Sequence, residues 1–256
     1  MKKLLFAAAL VAALIPFAAA QEHHLPQASL DRDVDVRVPA VPAVLGNPHH
    51  SAVDAAAPSY CKPCLFYAGD FDSTASDANG LANELDVLIS SGAQVWVPFK
   101  PTAAWKVTSI FSDNFASVST LDPKTSPYGI RSGVKSGSGG KVVCSGKAKA
   151  TNTDTHLSDF GYEVYATKVA VTKCSLKKGT TYWENVYPEC TSSGSCDGGD
   201  YRAFNANDDG AQAHKFGPKE PANLSFFNSV YFGSTWEPSS DQQASIYFSA
   251  GIGGTK

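Results

Sequence analysis

The chain has 256 residues, enough for one substantial core, with a formal net charge of -3 and 18% charged residues. That balance gives no electrostatic basis for binding nucleic acid or an anionic membrane surface. Charge below the roughly 25% usual in soluble domains leaves room for Gly, Ser, Thr and Asn, as suits an extracellular β protein with many turns.

The first element is an export signal. Lys2 and Lys3 precede an apolar run from Leu4 to Phe17, interrupted by Pro16, and Ala18-Ala19-Ala20 gives the small-residue cleavage pattern. Residues 1–20 are therefore expected to be removed ahead of Gln21. The run is short for a membrane span of roughly 20 apolar residues. No Cys follows the cleavage point to take a lipid, and no second long apolar stretch occurs. The expected destination is extracellular, periplasmic or the cell surface.

Residues 21–59 read as a Pro/Ala-rich linker or disordered tail. Neither Val38-Pro39-Ala40-Val41-Pro42-Ala43 nor Asp54-Ala55-Ala56-Ala57-Pro58 has a period that would bury a face. Proline removes amide donors and favours extended backbone. Asp31 to Val38 alternates charge with valine, which is compatible with a short edge strand. His23-His24 and His49-His50 are of a metal-ligating type, but on a tail their default is solvation. Residues 60–256 are expected to form one domain.

Early in that domain, Gly69 to Gly80 is dense in hard oxygens. Asp70, Asp72, Asp77 and Asn79, with Glu84 just beyond, could supply part of the roughly six to eight ligands that calcium takes. The spacing departs from an EF-hand loop, and the alternative is a solvated Asp/Asn turn bonded to its own backbone. The loop Asp197 to Gly210, with Asp200, Asp208 and Asp209, is a weaker second candidate. Leu81, Leu85 and Leu88 fit a helical stripe over Leu81–Ile89, with a strand beginning near Asp86 as the alternative.

Elsewhere β-branched and aromatic runs bounded by Gly, Pro, Asn and Asp predict strands. These are Leu65–Ala68, Gln94–Phe99, Trp105–Phe111, Gly129–Val134, Lys141–Thr151, Tyr162–Ser175, Thr180–Tyr187, Leu224–Tyr231 and Ala244–Ala250. Strict alternation places Trp105, Val107, Ser109 and Phe111 on one face, with Trp105 in the core. Ser136-Gly137-Ser138-Gly139-Gly140 reads as a hairpin connection, not a phosphate loop, because no helix follows. The expected architecture is mainly β, an antiparallel β-sandwich of jelly-roll type.

Val95-Trp96-Val97-Pro98-Phe99, Trp105-Lys106-Val107-Thr108, Ile130-Arg131-Ser132-Gly133-Val134, Gly139-Gly140-Lys141-Val142-Val143 and Gly179-Thr180-Thr181-Tyr182-Trp183 carry a resemblance. On them the chain resembles a loosely defined set of uncharacterised bacterial secreted β-sandwich proteins. The resemblance implies strand cores and turns, and no functional residues.

Six cysteines in an exported chain predict disulfides. Cys144 and Cys174 lie on consecutive predicted strands around the polar stretch Thr151–Gly161, roughly opposite each other in a hairpin. Cys190 and Cys196 enclose a short Ser/Gly loop. Cys61 and Cys64 remain, in Cys-Lys-Pro-Cys. A redox pair there would want a helix start within a βαβ unit, and zinc held by Cys61, Cys64, Cys190 and Cys196 would want a reducing compartment. A structural bridge is the expectation.

Three functions fit. The first is a binding or display module, for a glycan or a cell-surface component, with Trp96, Trp183 and Trp236 as stacking platforms. Core packing is the competing role for these rings. The second is a carbohydrate-active hydrolase using a pair drawn from Glu84, Glu163, Glu184 and Glu237. The third is a structural surface or matrix component. His156 and His214 sit in polar stretches without a nucleophile elbow, so a Ser/His/Asp triad is not expected.

Overall fold

The computed structural model describes residues 57–71, 80–86, 91–116, 125–159, 162–190, 202–204, 216–218, 225–229, 233–242 and 248–256. The expected export signal at residues 1–20, residues 21–56, Asp72, Asp77, Asn79, Asp200, Asp208, Asp209, His214, Cys196 and the Cys190 side chain lie outside them. Of the expected tail, Ala57 is packed, as is Tyr60 at the start of the expected domain. Ala57 and Tyr60 lie against Cys61, Tyr67, Phe111 and Ala166, and Ser59 opens a short 3-10 turn.

The strands in chain order are β1 (Cys64–Tyr67), β2 (Gly80–Ala82), β3 (Glu84–Asp86), β4 (Ser91–Phe99), β5 (Trp105–Ala116), β6 (Thr125–Ser132) and β7 (Lys141–Asp159). They continue with β8 (Tyr162–Leu176), β9 (Tyr182–Val186), β10 (Glu189–Cys190), β11 (Arg202–Phe204), β12 (Phe226–Ser229), β13 (Ser234–Pro238) and β14 (Ala250–Thr255). They pair in the order β1-β14-β5-β8-β7-β6-β9-β4-β12-β13, in a mainly antiparallel sheet curled into a half-barrel.

The curl is organised by β7. Its first half, Lys141 to Lys149, pairs with β6. Its second half, from Ala150 to Asp159, pairs with β8. Before Ala150 the β7–β8 ladder is not continued, and there Cys144 and Cys174 join the two strands with Cα atoms 5.8 Å apart. The expected pairing is present, on the stretch of the two strands that precedes their ladder at Ala150 and Val169. Cys61 and Cys64 form the second disulfide.

Bulges decide which face each strand buries. The β5–β8 register slips between Val107 and Ser109, so Trp105 and Val107 share the main core with Ile110. Phe111 turns to the opposite cluster with Tyr67. This corrects the alternation read from the sequence, in which Phe111 sided with Trp105. In β8 the slip is absorbed by Lys173, at φ 56°.

Three further expectations change. Leu81–Ile89 is not a helix: its described residues form β2 and β3, which pair with β11 and β4. A nine-residue helix would be too short to hold without packing, whereas strand pairing satisfies its backbone and buries Leu81 and Ala82. Thr151–Gly161 is not a connection, because β7 runs on to Asp159. Its polar residues suit an outward-facing ribbon with a bulge between Asp154 and Ser158. The last described strand is Ala250–Thr255, and of the strand read over Ala244–Ala250 residues 244–247 lie outside the described residues; Gly251, Gly253 and Gly254 concealed Ala250–Thr255, although it lies between β1 and β5.

Candidate functional site

The site grows from the alternation of β4. Val95 and Val97 face inward to Leu81, Phe227 and Phe248. Trp96 therefore points to the other side, where it joins Val134, Trp183 and Phe226, with Trp236 packed against them. The three tryptophans singled out in the sequence thus share one cluster. Trp96 and Trp183 are 4% and 5% exposed, so packing is their main role. Trp183 sets its ring edge against Phe226 at 6.2 Å. Trp236 is half-buried, with its ring centroid 5.3 Å from that of Trp96.

Arg131 completes the cluster. Its guanidinium carbon lies 5.2 Å from the Trp96 ring centroid and 4.9 Å from that of Trp236, a cation–π arrangement. One Nη donates to the Gly139 carbonyl at 3.0 Å. A Cβ on Gly139 would stand 2.3 Å from the Trp236 ring; only glycine lets indole and guanidinium lie against the hairpin. The Gly137 amide donates to the Trp236 carbonyl at 3.0 Å, which ties that hairpin to β13. Trp236 sits at φ 51°, a left-handed conformation costly for a bulky residue and sustained by these contacts.

Beside this stack a cleft of about 120 Å³ opens between β4, β6 and β7, lined by Gln94, Trp96, Tyr128, Arg131, Val142, Ser145 and Tyr187, with Gly129 at its floor. Trp96 Nε1 donates to Gln94 Oε1 at 3.2 Å. The bulge between Ile130 and Arg131 puts Val142 opposite Arg131, and Val142 is 44% exposed. Burial lowers the Arg131 pKa, countered by Tyr187. The Tyr187 hydroxyl is pushed up by burial, countered by Gln94 and the Arg131 charge. Among the described residues no carboxylate lines the cleft. It offers aromatic rings, one cation, an amide and a hydroxyl, which is the equipment of a binding site.

Trp96 alone of the predicted glycan residues lines this cleft. Trp183 is behind it and Trp236 supports Arg131 from the side. Arg131, Tyr128, Tyr187 and Gln94 went unpredicted. Their signal was faint: glycines in the same segments as aromatic residues, which marks rings lying flat on a sheet.

The calcium candidates are divided by the fold. Asp70 accepts a hydrogen bond from the Tyr67 hydroxyl at 2.8 Å, and Glu84 is a largely buried residue of β3 opposite Ala93. Among the described residues no three His, Cys, Asp or Glu side chains gather as a metal site. Of the hydrolase candidates, Glu163 is bonded to Tyr165 at the surface. Glu184 is buried within the sheet's curl. Its pKa is raised by burial and then by the Asp113 charge; the Gly251 backbone approaches it, yet neither carboxyl oxygen completes a hydrogen bond. His156 is exposed at the β7 bulge, its Nδ1 3.3 Å from Asp154.

A second polar centre is largely internal. The Tyr67 hydroxyl lies 2.9 Å from Asp113 Oδ2 and 3.2 Å from Ser249 Oγ, besides its contact with Asp70. Asn83 donates to the Asn114 side chain and the Val186 carbonyl, both at 2.9 Å, and so ties β5 to β9. These hydrogen bonds hold the curl together.

Among the described residues no helix is long and apolar enough to cross a membrane. No protein-family model and no curated protein matches the chain.

Proposed function

We propose that the chain is a secreted β-sandwich binding module that takes a sugar ring in the cleft between β4, β6 and β7. The carrying observation is the cleft itself, where Trp96, Tyr128 and Tyr187 surround a pocket that also presents Gln94, Ser145 and Arg131. Aromatic faces accept the apolar side of a pyranose, and polar groups beside them fix its orientation. Its volume is well under the roughly 300–1,000 Å³ of sites for larger ligands, so it suits one ring of a chain. The export signal at residues 1–20 and two disulfides support a place outside the cytoplasm.

The test is a glycan array probed with the full protein, followed by calorimetry on the best ligand. Tyr128→Ala and Tyr187→Ala should each weaken binding about tenfold or more, since losing a stacking or hydrogen-bonding ring costs roughly 1–3 kcal/mol. Variants that bind as tightly as the parent would remove the cleft from consideration.

A further inference from the structure

We infer that the cleft selects an acidic sugar, carrying a carboxylate or a sulfate, and that Arg131 is the residue that selects it. This rests on the cleft being a sugar site and goes beyond it by naming the ligand's charge.

Four observations carry it. First, among the described residues Arg131 has no carboxylate partner. Glu189, whose charge is felt at Tyr187, is engaged by Lys147 and by Thr125. Second, Arg131 is half-buried against two indole rings, so its charge is poorly hydrated and uncompensated. Third, the guanidinium has five N–H donors, and one bond, to the Gly139 carbonyl, restrains it; other N–H groups at its edge remain for a ligand. Fourth, among the described residues the cleft wall holds no acid to repel an anion. A stacked, planar, pre-oriented guanidinium recognises carboxylate and sulfate oxygens in pairs, as a lysine ammonium does not.

The chain's overall charge of -3 works against unspecific attraction of polyanions, so retention of one would report a local site. The probes are polygalacturonate with its methyl ester, and dextran sulfate with dextran, tested against the full protein at about 0.15 M salt, where long-range attraction is screened. The expected result is binding of polygalacturonate or dextran sulfate at least tenfold tighter than of its neutral partner. The charged polymer that binds tells carboxylate from sulfate. Arg131→Gln should abolish that preference, and Arg131→Lys should restore little of it. Because Arg131 also supports Trp236, Ser145→Tyr serves as a second variant: it fills the cleft from β7 while Arg131 and the tryptophans keep their identity, and should abolish retention in a protein that melts normally. If a neutral polymer binds as well as its charged partner, the acidic preference is overturned while the sugar site stands. If none of the four is retained and the array is also blank, both fail.

Discussion

Asp113 is 1% exposed, and its Oδ2 faces the Tyr67 hydroxyl, which also meets Asp70. One hydroxyl proton cannot serve two carboxylates at once. Burial is the largest influence on Asp113 and lifts its pKa to about 7, with Ser249 and Tyr67 pulling the other way. Between about pH 4 and pH 7 the native state therefore keeps a proton that the unfolded chain has released. Stability must fall as pH rises through that window, by an amount on the order of 4 kcal/mol for a fully buried acid so displaced. The expectation is a melting temperature that drops from pH 5 to pH 8, with a shallower slope in Asp113→Asn. Glu184→Gln should flatten it further, because burial raises that acid in the same direction. An unchanged slope in Asp113→Asn would mean the acid is already ionised in the folded protein.

The β6–β7 hairpin shows how an element can be held from outside itself. Lys135 and Ser138 exchange backbone hydrogen bonds across its turn, and Gly137 donates to the Trp236 carbonyl of β13. Gly139→Ala would drive a methyl group into Trp236 and Arg131. Overpacking of that kind costs roughly 1–3 kcal/mol, so the variant should melt lower and its tryptophan emission should shift to the red. An unaltered emission spectrum would show that the hairpin yields without displacing the ring. This hairpin was legible in the sequence because Ser136 to Gly140 is turn chemistry between β-branched runs. So was the turn of Trp96 to the sheet face opposite Val95 and Val97, from the alternation of Val95, Val97 and Phe99. Bulges were not legible: a slip of one residue at Val107 or Ile130 leaves composition untouched and moves every later side chain to the other face. The cleft was illegible for that reason, since Arg131 and Val142 meet only because of such a slip. Gly251 and its neighbours hid β14 because glycine carries no strand signal, and its position there follows from packing between Phe66 and Phe111.

Across the whole molecule, the Cys144–Cys174 bridge closes a loop with a sequence separation of 30 residues. A crosslink of that length restricts the unfolded chain by roughly 3–4 kcal/mol. Cys144→Ser with Cys174→Ser should lower the denaturant midpoint accordingly, while Cys61→Ser with Cys64→Ser, which closes only a separation of 3 residues, should cost less. Equal losses from the two pairs would argue that the longer bridge stabilises through local packing instead. The division of β7 between two partners has a consequence in the language of cooperativity. A strand that gives its first half to β6 and its second to β8 leaves no seam along which the sheet could open in part. Slow-exchanging amides on β6 and on β8 should therefore share one opening free energy, and the fold should break as a single unit.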